Sequence, residues 1–107
     1  MLRSKELRRF TDVHTADGQR LGVTLRFIHR PIEDVNVEQK LYRSFLIVQS
    51  LPHAGPVYVP TLFIDAYDPT ANRLTLSVDM DTVMNEVWNR EPDFVARGQG
   101  VAEELPA

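Results

Sequence analysis

The sequence predicts a mainly β fold: a small antiparallel barrel of about six short strands, with one C-terminal helix. Three observations carry that expectation. Apolar residues alternate with polar ones over 20–28 and 73–79, which gives each run one inward face. Turn chemistry recurs between such runs, at Asp17-Gly18, over 51–56 and over 68–72. Helical spacing appears only late, where Val83, Met84, Val87 and Trp88 form an apolar stripe.

Residues 1–6 read as a charged N-terminal arm ahead of a single domain over 7–94. The first strand falls in 8–15, rich in β-formers. Asp17-Gly18 turns the chain into a second strand, because both residues tolerate positive φ. In that strand Leu21, Val23, Leu25 and Phe27 are expected inward and Arg20, Gly22, Thr24 and Arg26 outward, with Gly22 marking a bend or bulge. Pro31 then interrupts pairing, and 29–41 reads as a long connection, with one helical turn or an extended edge inside it. Phe45, Leu46, Ile47 and Val48 are consecutive and apolar, as in a strand covered on both faces. A turn leads to a short strand ended by Pro60, and another strand follows. Over 68–72, Pro69 pre-sets φ, Asp68 is placed to accept from the following amides, and Asn72 tolerates a left-handed conformation. Leu74, Leu76 and Val78 are expected inward. The helix is expected over about 80–90, with Asp79 or Asp81 as its N-cap and Pro92 beyond its end. The remaining 95–107, with two glycines and several acids, read as a flexible tail unless a neighbour holds them.

The 107 residues are 43% hydrophobic and 25% charged, enough for one core. No apolar run is long enough to span a bilayer. The basic start lacks an apolar segment after it, so a cytoplasmic location is expected rather than secretion. With no cysteine, the chain has no disulfide, thiol nucleophile or Cys-type metal site. The net charge of -3 argues against general nucleic-acid binding, but it is unevenly spread. Residues 1–43 hold nine of the twelve Lys and Arg against six of the fifteen acids, so the halves carry +3 and -6. Opposed halves neutralise each other within a fold, or attract between copies.

The ordered pattern resembles the PRC-barrel family, the small β-barrel of the photosynthetic reaction-centre H subunit and of the C-terminal domain of the ribosome maturation factor RimM. The residues carrying the likeness are "VHTADGQRLGVTLRF", "YRSFLIV" and "VYVPTLFIDAYDPTANRLTLSV", over about 7–80. The continuation "VMNEVWNREPDF" looks like a bacterial subgroup of PRC-barrel-like proteins. The resemblance implies a PRC-type β-barrel acting as an adaptor or assembly module, with no catalytic residues to carry over. The connection "HRPIEDVNVEQK" is longer than the family pattern, and the additional N-terminal domain of RimM proteins is not in this chain.

Little in the residues points to catalysis, and no enzyme activity, cofactor or metal is expected. His14, His29 and His53 lie in separate segments, each without a ligand at short spacing. Asp79 and Asp81 lack the further oxygens, glycine and closing glutamate of a calcium loop. Ser44, Ser50 and Ser77 come with no base implied by local spacing. Neither a phosphate-binding loop nor a dinucleotide fingerprint is present. Interaction is the stronger expectation. Met84, Trp88 and Phe94 are the candidate contact residues, facing a protein partner or a second copy in a homodimer. The first alternative is an RNA-associated factor that uses Arg3, Lys5, Arg8 and Arg9. Its lack of exposed aromatics among that charge counts against it, because Phe10 and Phe27 are expected in the core. Behind it stands a small-ligand binder or enzyme acting in the barrel mouth.

Overall fold

The computed structural model describes residues 7–31, 42–50, 52–86 and 88–107. The N-terminal arm and most of the 29–41 connection lie outside them. The described chain forms a seven-stranded mixed sheet with two short helices. In order, the elements are β1 (Asp12–His14), β2 (Arg20–His29), β3 (Ser44–Ser50), β4 (Gly55–Pro60), a 3-10 turn (Thr61–Phe63), β5 (Ile64–Asp68), β6 (Arg73–Leu76), α1 (Met80–Asn85), α2 (Asp93–Ala96) and β7 (Val101–Glu104). The sheet runs β4-β3-β2-β1-β6-β5, and β7 pairs with β2. Among the described residues, no helix is long and apolar enough to cross a membrane.

The expected barrel does not close, and the sheet is not purely antiparallel. Closure would require β4 to pair with β5, the two ends of the strand order. Instead the outward amide of Tyr58 on β4 donates to the Trp88 carbonyl at 2.7 Å. The chain after α1 therefore occupies part of the edge that closure would use. In addition, β1, joined to β2 by the hairpin, runs parallel to β6 on its other side, so β6 reaches it by a crossover rather than a meander.

Both faces of the sheet are covered. The main core holds Leu46 and Val48 of β3, Val57 and Val59 of β4, Leu74 and Leu76 of β6, and Met80 and Val83 of α1. A second cluster on the opposite face holds Phe45 and Ile47 of β3, Ile28, Tyr58 and Phe94. The run 45–48 thus feeds both faces, as its continuous apolar character predicts.

Strand β2 departs from simple alternation. Its register slips against β1 between Val13 and His14, and against β3 between Thr24 and Arg26. Each bulge adds one residue and resets which side chains face inward. Leu21 and Phe27 reach the main core, but Leu25 packs against the second cluster, and Thr24, expected outward, is buried opposite Val48. Its hydroxyl donates to the Arg8 carbonyl at 2.7 Å and accepts from the Thr11 amide at 3.0 Å, which makes this burial tolerable.

The turns follow their chemistry. Gly18 has φ 80° and Asn72 φ 52°, and Asp68 accepts from the amides of Thr70 and Ala71. Asp79 is the N-cap of α1, accepting from the Thr82 amide at 2.8 Å. Asp17 in the hairpin accepts from the Met80 amide at 3.2 Å, from Gln19 and from the Thr15 hydroxyl. Hydrogen bonds hold both carboxyls below the ordinary aspartate value, chiefly from Thr15 for Asp17 and from Thr82 for Asp79. A depressed carboxylate contributes stability that is complete above its unfolded value and lost as pH falls through its folded value. Unfolding monitored across acid pH should therefore show stability falling below about pH 4. Asp17→Asn combined with Asp79→Asn should flatten that fall, and an unchanged acid limb would count against both roles.

The single helix expected over 80–90 is two pieces. α1 ends at Asn85, after which Glu86 turns extended, and the chain then meets the β4 edge at Trp88. α2 ends in a glycine cap: the Gly98 amide donates to the Val95 carbonyl at 2.9 Å and the Gln99 amide to the Phe94 carbonyl at 2.9 Å, with Gly98 at φ 73°. Beyond it, the segment expected as a flexible tail is β7, paired antiparallel with β2 from Arg26 to His29. Gly100 permits this approach, since a β-carbon there would lie 2.6 Å from Ile28 Cδ1.

Candidate interaction surfaces

Two of the three expected contact residues belong to the molecule's own interior. Phe94 has 0% exposure, and Trp88 only 8%. Trp88 packs on Phe63 with ring centroids 5.2 Å apart, and Phe94 packs on Phe45 at 5.9 Å under the Arg30 guanidinium at 4.5 Å. Neither ring presents a face for a partner, because the two-sided sheet supplies a second apolar layer that accommodates Phe94. Met84, on the last turn of α1, is the exposed member at 52%.

Other apolar side chains face solvent instead. Leu62 is 76% exposed on the 3-10 turn between β4 and β5. Its neighbour Phe63 is anchored between Trp88 and Tyr42, whose ring meets Phe63 edge-on at 5.9 Å. Tyr42 is itself exposed and packs on Phe45 at 6.1 Å. A chain of aromatic contacts thus runs from Trp88 through Phe63, Tyr42 and Phe45 to Phe94, and Leu62 stands on its outer margin. Strand β5, which begins two residues later, ends the strand order and has β6 as its sheet partner.

The basic candidates divide. Arg3 and Lys5 lie outside the described residues, while Arg8 and Arg9 are exposed. Phe10, expected in the core, is 61% exposed with φ 64°, and the Arg9 guanidinium lies 5.9 Å from its ring centre. The Phe10 amide is drawn to the Thr24 carbonyl at 2.8 Å, which orients the residue away from the interior.

The histidines do not converge, and among the described residues no group of three or more His, Cys, Asp or Glu is placed to hold a metal ion. His53 Nδ1 lies 3.1 Å from Ser50 Oγ. His29 has a pair of partners on neighbouring strands: Nδ1 is 2.7 Å from Ser44 Oγ, and Nε2 is 2.8 Å from Glu103 Oε1. This hydroxyl–imidazole–carboxylate row has the order of a nucleophile, base and orienting acid. Ser44, however, lies in the β2–β3 ladder opposite His29, rather than on a turn that exposes it to converging backbone donors. With Arg26–Glu104 at 3.0 Å, the His29–Glu103 contact ties β7 to β2. Local spacing could not reveal this row, because Glu103 reaches it only through the pairing of β7. No family model, curated protein or solved structure matches the chain.

Proposed function

We propose that this domain is a non-catalytic interaction module that self-associates through the corner formed by the 3-10 turn and β5. The observation that carries the proposal is Leu62, a large aliphatic side chain at 76% exposure next to Phe63, whose ring packs on Tyr42 and Trp88. An apolar anchor beside a strand edge, such as the side of β5 that has no sheet partner among the described residues, is the arrangement by which sheets add a further strand. A second copy is the simplest occupant, since one patch meeting itself across a two-fold axis closes without leaving the edge repeated. The PRC-barrel resemblance supports the same adaptor role through its order of hairpin, central strand and proline-ended strand. On an unclosed sheet, such a role is exerted through edges rather than around a sealed barrel.

Light scattering on the eluting protein tests this directly. The expected mass is twice the 12.3 kDa chain at high micromolar concentration. Leu62→Asp should weaken association at least tenfold, since burying one leucine is worth about 1.5–3 kcal/mol. A monomer at every concentration, or a dimer indifferent to Leu62→Asp, would refute the proposal.

A further inference from the structure

The turn Arg8–Thr11 is where the fold treats a residue most unlike its chemistry. A phenylalanine at φ 64° occupies a region that bulky side chains avoid, and burial does not compensate, because the ring is 61% exposed. Backbone strain of this kind persists only where the surroundings over-determine it. Here they do. The Arg8 carbonyl accepts from the Thr11 hydroxyl at 2.7 Å and from the Thr24 hydroxyl at 2.7 Å. The Arg9 amide donates to the Pro106 carbonyl at 2.7 Å, and the Phe10 amide to the Thr24 carbonyl at 2.8 Å. Thr11 and Thr24 are buried and joined to each other in both directions, with the Thr11 hydroxyl 2.9 Å from Asn72 Oδ1.

The turn therefore presents Arg8, Arg9 and Phe10 outward on a fixed base. The next acid along the chain, Asp12, is engaged by Arg20 at 3.0 Å, and Arg73 stands opposite Asp12 across the β1–β6 pairing. Arg3 and Lys5 precede the turn in the sequence. An exposed ring with the Arg9 guanidinium over one face and the exposed Arg8 two residues before it matches one chemistry best: an unpaired base stacked on the other face, with its adjoining phosphates on the arginines. We propose that Arg8, Arg9 and Phe10 form a contact platform for single-stranded nucleic acid, with Phe10 as the stacking residue. This goes beyond self-association and uses a different surface.

Fluorescence anisotropy with labelled oligo(U) and oligo(dT) of about twelve nucleotides tests it, using the full chain between about 50 and 200 mM salt. Binding is expected to weaken as salt rises, with the slope reduced by about 0.7 for each of Arg8→Gln and Arg9→Gln. Phe10→Leu, which keeps an apolar side chain but removes the π-face, should weaken binding roughly tenfold. Phe10→Trp should retain it. Phe10→Gly should abolish the stacking contribution with no lower thermal midpoint, because glycine relieves the positive φ. Leu62→Asp should leave binding unchanged, which separates this surface from the dimer contact. Absence of binding at low salt, indifference to Phe10→Leu, equal affinity for duplex, or capture of poly-glutamate in place of the oligonucleotides would each overturn the proposal.

Discussion

Gly22→Ala is expected to destabilise the domain by about 3 kcal/mol or more, one of the largest effects available to a single methyl group. A β-carbon at this position would overlap the Gln49 carbonyl oxygen and stand 2.8 Å from the carbonyl carbon and 3.0 Å from Ser50 Cα. These are backbone atoms of β3, so no side-chain rotation relieves the clash. Gly22 is paired with Ser50 on one side and with Val13 on the other, next to the bulge in the β1–β2 ladder. The methyl must therefore move a central strand against both neighbours. Thermal unfolding should show a midpoint lowered by roughly 12–24 °C, at about 4–8 °C per kcal/mol for a domain of this size. Gly18→Ala is the informative control. Nothing lies within 4 Å of a β-carbon there, and its penalty comes only from φ 80°, so it should cost about 1–2 kcal/mol. Equal effects for the two substitutions would show that close packing does not set the requirement for glycine at position 22.

The contrast explains why parts of the fold could be read from sequence and others could not. Leu74 and Leu76 face inward as their alternation requires, because β6 carries no bulge over those residues. In β2 the same inference misplaces Leu25 and Thr24. Two bulges shift the inward face there, and Gly22 was the local sign of one of them. Asp79 could be recognised as a cap because capping is a contact within one turn of chain. The end of α1 could not, because it is decided by the bond between Trp88 and Tyr58, thirty residues apart in the numbering.

Glycines show the same division. Gly98 and Gly100 looked like marks of a flexible tail, yet one closes α2 and the other lets β7 lie against Ile28. Their composition is the same in either case. What distinguishes them is the partner strand, and that partner is β2, far back in the chain. The Ser44–His29–Glu103 row was hidden for the same reason. Phe10 faces solvent although β-propensity and hydrophobicity both favour its burial, because the buried Thr11–Thr24 pair fixes the turn the other way.

Phe94→Ala should cost about 3–5 kcal/mol, the range for emptying a buried phenylalanine site. The side chain is fully buried among Ile28, Phe45, Ile47 and Tyr58, and the Arg30 guanidinium lies over its ring. Its loss removes the centre of the second cluster while leaving the main core, on the other face of the sheet, intact in composition. The consequence should be uneven. Phe94 anchors α2, α2 leads through Gly98 and Gly100 into β7, and β7 is held by one ladder, the exposed Arg26–Glu104 ion pair and the His29–Glu103 hydrogen bond. In Phe94→Ala, hydrogen exchange should accelerate first at the amides of 101–104. Trp88, packed on Phe63 in the main cluster, should keep the emission of a buried indole at that stage. Simultaneous loss of both signals would mean that the two faces unfold as one unit and would remove the case for a separable C-terminal segment. If the signals separate, release of β7 uncovers the β2 edge from Arg26 to His29, and the variant should then aggregate more readily than the parent, as an unpaired strand edge invites.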